Sequence, residues 1–283
     1  YVYHMELDSY QPGNIIYTDK HSLKTTDGVT AATIAGHQTQ SGYKDADRES
    51  ARFDYITGFK GITAKILIAV DQYNHCLRRI HRDTGLTTTF SGVCKSSGYQ
   101  DGKQAKFKYP YSIIRDNQNR SQLLVTDGNH NAIRTVSVSD GSVGTLIKSS
   151  TIEYPLSLTQ NTAGDIFVTN VFAVFRISYT GKTITLLAGS QDTTGYRDGY
   201  LLKSLFDFPA ELIFIQKHKL LIADGGNNKL RLLDLDEDKV TTLNFCNGCV
   251  SLNEPFSIML TNDSLYVGQK AKILRFKCKL NTM

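Results

Sequence analysis

Three pairs of opposite charges recur at one spacing in this chain. Asp71 and Arg78, Asp127 and Arg134, and Asp224 and Arg231 each stand seven residues apart, and each aspartate ends an apolar run. An acid and a guanidinium at fixed spacing can pair, and an aspartate closing an apolar run can brace a turn. Between the paired charges stand His75 and His130, and His21 holds a corresponding place after Asp19. Three converging imidazoles with an open position would be zinc chemistry. The aspartates, if they converged, would be calcium chemistry. Their repetition from copy to copy points instead to turn bracing, so neither a metal nor another cofactor is expected. No Gly-x-Ser-x-Gly nucleophile motif occurs, and the chain is not expected to be an enzyme. Arg275, Lys277 and Lys279 alternate beside Lys270 and Lys272, with Arg78, Arg79 and Arg82 elsewhere. Such a stripe could track phosphates, which keeps RNA binding open as an alternative. A strand edge carrying lysines against aggregation is the more ordinary use.

The elements that must position these residues repeat. LIAVDQYNHCLRRI, LLVTDGNHNAIRTV and LLIADGGNNKLRLL align without a gap. IFVTNVFAVFRI and LYVGQKAKILRF are copies shortened by one residue, and IIYTDKHSLK is a sixth. A polar turn follows each copy, then a strand ending in small residues (TIAG, TFSG, LLAG), then a strand opening at Pro110, Pro155, Pro209 or Pro255. Four short strands per unit, repeated six times, predict an all-β six-bladed β-propeller with four antiparallel strands per blade. The blades are expected at about 1–36, 53–92, 107–147, 154–189, 206–243 and 255–280, in one domain spanning 1–283. The last blade holds only three strands by sequence and is expected to be completed by a terminal strand, around Tyr1–Met5. The opening at Tyr1 reads as a segment excised from a larger protein.

The apolar-Asp, Asn-His and Ile/Leu-Arg pattern, preserved around Asn74-His75 and Asn129-His130, resembles the NHL-repeat family of six-bladed propellers. A second mark of the resemblance is Gly-Tyr-x-Asp-Gly followed by Phe, in GYQDGKQAKF and GYRDGYLLKSLF, with a weaker GYKDADRESARF. The loops after the third and fifth blades lack it, and Ile56 replaces a proline. Related propellers include a zinc-dependent lyase and calcium-dependent lactonases, so a metal-dependent lyase or hydrolase remains an alternative. Some cytoplasmic members bind RNA.

Cys76 opens the third strand of the second blade and Cys94 lies past its fourth. Folding that hairpin about Gly85 sets the two opposite each other, within reach of a disulfide. Cys246 and Cys249 flank Asn-Gly and are expected to bridge locally, leaving Cys278; a bridge from Cys278 to either is the competitor. Asn119-Arg-Ser and Asn262-Asp-Ser are acceptor triplets for N-glycosylation, both in turns between first and second strands. Bridge and triplets together predict a secreted or cell-surface domain. No apolar stretch is long enough to span a bilayer. The net charge of +5 is modest and does not demand nucleic acid.

The turns between second and third strands should share one face with the loops joining blades. That face would gather Tyr43, Tyr73, His75, Tyr99, His130, Tyr196 and Asn228, with the candidate glycans opposite. Exposed tyrosines with polar neighbours suit an interface. The expected function is an extracellular recognition module binding a protein or a glycan partner through that face.

Overall fold

The computed structural model describes residues 1–244 and 251–277. Six antiparallel sheets make the chain a six-bladed β-propeller, and among the described residues the helical segments are five single 3-10 turns. The chain forms two compact units, residues 3–154 and residues 155–283 with 1–2.

The first unit holds three sheets in simple meander order. They are β1 (Met5–Leu7) to β4 (Ala31–Gly36), β5 (Ile56–Thr63) to β8 (Thr87–Ser91), and β9 (Pro110–Arg115) to β12 (Val143–Lys148). The apolar runs recognised in the sequence are the second strands β2 (Ile15–Asp19), β6 (Ile66–Asp71) and β10 (Gln122–Asp127). β6 packs on the first sheet through Leu67 and Ala69 and on the third through Ile68 and Val70, and β10, like β6, is buried at every position but its first. They therefore read as continuous apolar runs rather than alternating ones. Ile16, Leu23 and Ile34 of the first sheet pack with Phe59, Leu67 and Ile80 of the second, and Val70 and Leu77 pack with Ile113, Leu123 and Val125 of the third.

The second unit carries β13 (Leu158–Gln160) to β16 (Ile184–Gly189), β18 (Pro209–Gln216) to β21 (Lys239–Thr242), and β22 (Ser257–Leu260) to β24 (Lys272–Lys277). A short strand β17 (Gly199–Tyr200), from the Gly-Tyr loop, adds a fifth strand at the β21 edge. Equivalent bridges join Ala46 to Thr87 and Gly102 to Val143, so each motif-bearing loop covers the outer edge of the following sheet.

Among the described residues the last sheet has three strands. The N-terminus reaches it: the Val2 carbonyl accepts the Ser257 hydroxyl at 3.0 Å. The strand that follows, Met5–Leu7, pairs with Ile15–Asp19 in the first sheet instead. Phe53, Phe107 and Phe206, delivered by the three motif loops, are buried. Their rings explain the small residues ending the fourth strands. Gly92 has φ +88°, and a Cβ there would stand 2.9 Å from the Phe107 ring.

Candidate functional site

The recurrent charges are structural pins. Arg78, buried, donates from Nη1 to Asp71 at 2.8 Å and from Nη2 to Asp45 at 2.5 Å, and also to the carbonyls of Arg52 and Lys44. The Tyr43 and Phe53 rings lie 4.8 and 4.9 Å from its Cζ. Arg134 repeats the arrangement with Asp127, Asp101, Tyr99 and Phe107, and Arg231 with Asp224, Asp198, Tyr196 and Phe206. The Gly-Tyr-x-Asp motif thus supplies one ring and one carboxylate to a guanidinium of the next sheet. Burial pushes the Asp71 carboxyl up to about 6, against the pull of Arg78. Where the loop lacks the motif, the arginine leaves: Arg176 turns to Asp165, and Arg275 lies 3.6 Å from Asp263.

Tyr43, Tyr99 and Tyr196 are accordingly half committed. Each stacks on its arginine, and each hydroxyl is bonded to a threonine of the following sheet, Thr89, Thr145 or Thr242, at 2.8 to 3.0 Å. His130 bonds Asp127 at 3.0 Å and meets the Tyr99 ring edge-on, with centroids 5.1 Å apart. Tyr196 and Asn228 belong to the other compact unit, where the Asn228 Oδ1 accepts the Glu254 N–H at 2.6 Å.

His75 has a different task. It is left-handed (φ 59°), closing the turn after β6, and its Nδ1 accepts the N–H of Tyr109, 3.3 Å away. His21 does the same for Tyr55 at 3.2 Å, and Asn131 for Tyr154 at 3.0 Å. Burial pulls both imidazoles below their ordinary range, although Asp54, 3.6 Å from His21, pulls that one back. The accepting Nδ1 assigns the remaining ring proton to Nε2. Among the described residues, no group of three or more His, Cys, Asp or Glu is placed to hold a metal ion.

These ties bring an aromatic band together in residues 3–154. Tyr73, 47% exposed, stands edge-on between Tyr55 and Tyr109, with ring centroids at 5.1 and 5.4 Å. His21 and His75 flank it, each in an edge contact with Tyr55 or Tyr109. Tyr154 lies close enough to Tyr73 and Tyr109 to raise its own phenol, chiefly through burial. Burial also raises Tyr73, helped by Tyr55 and Tyr109. Tyr55, Tyr109 and Tyr154 all have φ between 48° and 61°, uncommon for non-glycine residues. Sequence reading missed these three. The available signal was position: Tyr109 and Tyr154 stand immediately before blade-opening prolines, and Tyr55 before the Ile56 that replaces one.

Cys76 and Cys94 form a disulfide with Cα atoms 5.1 Å apart. The register differs from a fold about Gly85: Arg78 faces Thr89 and Leu77 faces Ser91. Cys94 comes from beyond the strand end, where the chain turns at Gly92 and the Lys95 N–H bonds the Asn74 carbonyl at 2.7 Å. Cys246, Cys249 and Cys278 lie outside the described residues. Asn119 and exposed Asn262 occupy the turns between β9 and β10 and between β22 and β23 (Ser264–Gln269); the Asn119 Oδ1 accepts the Ser121 hydroxyl at 2.6 Å. No helix among the described residues is long and apolar enough to cross a membrane.

No protein-family model matches the chain. The human NHL repeat-containing protein 2 is 23% identical over 281 residues, covering 81% of this chain; the chain spans 39% of that protein's length. A solved auxiliary nutrient binding protein from Bacteroides ovatus superposes with a TM-score of 0.74 at 13% identity, covering 98% of this chain and 69% of the other. The virginiamycin B lyase of Staphylococcus aureus superposes at 0.60 with 14% identity, covering 96% of this chain and 78% of the other. Binding proteins and enzymes thus share this fold, and fold alone assigns neither role. With the Asp-to-Arg repeat, the six sheets and these similarities in hand, the chain is a six-bladed β-propeller, and its weak similarity to an NHL repeat-containing protein supports the NHL type.

Proposed function

We propose that this propeller is a recognition module of a secreted or cell-surface protein, and that it binds a glycan or protein partner at the aromatic band centred on Tyr73. The observation that carries this reading is the half-exposed Tyr73 ring, held between Tyr55 and Tyr109 by edge contacts. Rings fixed in this way offer apolar area and hydroxyls at small entropic cost, which is what binding surfaces use. His75 belongs to this surface as a support for Tyr109. Tyr43, Tyr99, His130, Tyr196 and Asn228 are less suited, because their polar atoms already serve the fold. The disulfide and the two acceptor triplets support an oxidising compartment. The likeness of the fold to that of a nutrient binding protein supports ligand binding in general.

The test is an array of immobilised glycans and extracellular-matrix proteins probed with the intact chain and with Tyr73→Ala. Retention of a partner by the intact chain and a loss of about tenfold or more in the variant, with unchanged melting, supports the site. Equal retention by both, or a comparable loss on Tyr196→Ala alone, moves the site elsewhere.

A further inference from the structure

We propose a second site at the hairpin-turn edge of the first two sheets, where Arg82 and Arg48 bind the carboxylate of a small ligand. The Arg82 side chain is only 3% exposed. Its Nη2 donates to Asp8 at 2.5 Å, yet its Nε and Nη1 have no hydrogen-bond partner among the described residues. A buried cationic donor left unused is costly and asks for an acceptor.

Arg82 lines a cavity of about 260 Å³ together with Tyr10, Thr25, Thr33, Arg48 and Asp83. The chemistry of that wall is donor-rich. Asp8 is already occupied: one oxygen accepts the N–H groups of Tyr10 and Gln11, and the other the Thr25 hydroxyl and Arg82. Arg48 is anchored by the Asp83 backbone carbonyl at 2.7 Å, and Asp83 lies 3.8 Å from Lys65. Arg48, Lys65 and Arg82 against Asp8 and Asp83 leave one positive charge in excess. A single carboxylate balances it, whereas a doubly charged anion would set uncompensated charge beside two aspartates. The Tyr10 ring, 5.5 Å from the Arg82 Cζ and partly exposed, is placed to cover the body of such a ligand. Carboxylate recognition by guanidinium groups and an aromatic cover is thus the chemistry the cavity offers.

The experiment is calorimetric titration of the intact chain with D-glucuronate, D-glucose and sulfate. Saturable binding of glucuronate in preference to glucose is expected, weakened about tenfold or more by Arg48→Gln and by Tyr10→Ala with melting unchanged. Arg82→Met should abolish it; if that variant does not fold, the exposed Arg48 decides. The site is overturned by absent glucuronate binding, equal affinity for glucose, binding of sulfate alone, or affinity unchanged in both Arg48→Gln and Tyr10→Ala. The Tyr73 variant leaves this titration unaltered, so the two sites are tested separately.

Discussion

The Nδ1 of His75 accepts the backbone N–H of Tyr109 across 3.3 Å, tying the turn after β6 to the residue just before the first strand of the third sheet. Asn131 and Asn228 perform the same task at the equivalent turns. His75→Asn should therefore keep the native stability, because asparagine accepts the same bond and tolerates the left-handed backbone. His75→Ala should cost about 1–3 kcal/mol by orphaning the Tyr109 N–H. Urea unfolding of the two variants side by side checks this.

Protonation of His21 or His75 at Nδ1 would replace an acceptor by a donor facing a backbone N–H. Both folded pKa values lie below the ordinary value, so the unfolded chain takes up protons first as pH falls. Their contribution is complete above about pH 6.5 and is lost below it, toward the lowered values. Asp71 works oppositely, since a carboxyl raised to about 6 gains its proton more readily in the folded state. Unfolding free energy measured between about pH 7 and 5 should fall less in the His21→Asn, His75→Asn double variant than in the unaltered chain. Identical slopes would contradict this.

Arg78→Met should destabilise by about 3–5 kcal/mol, because it leaves Asp71 buried without its cation. Arg176→Ala, removing an arginine whose side chain is 54% exposed, should stay within about 1 kcal/mol. The contrast between the two, read by urea unfolding, tests whether the Gly-Tyr-x-Asp loops are what makes the arginine structural.

Reduction of the Cys76–Cys94 bridge, or Cys76→Ser with Cys94→Ser, opens a loop closed over 18 residues. Loop-closure entropy puts the loss at about 3 kcal/mol. Melting with and without reductant measures it, and the Cys-to-Ser pair should be insensitive to reductant apart from any effect of the other three cysteines.

The propeller was legible because its cause is local and repeated. Second strands covered on both faces must be apolar throughout, and turns that end them need Asp, Asn and a left-handed residue, so each sheet writes the same string. The separations between partners are equally regular: Asp45 to Arg78, Asp101 to Arg134 and Asp198 to Arg231 all span 33 residues. That regularity is visible only once the pairing is known. Tyr43, Tyr99 and Tyr196 read as free interface residues because sequence shows their type and not the arginine beneath them.

By itself the sequence determined six repeated strand units with their turns, five of four strands and a last of three, the delivery of Phe53, Phe107 and Phe206, and two cysteines near one hairpin, since these follow from period, polarity and turn chemistry. The tertiary structure alone decided which side chains remain available. Packing of one sheet on the next consumed the motif tyrosines, drew Tyr55, Tyr73 and Tyr109 into one band, and left Arg82, with two buried donor atoms unused, in the wall of a cavity. Those outcomes depend on distances across neighbouring sheets, which no single repeat encodes.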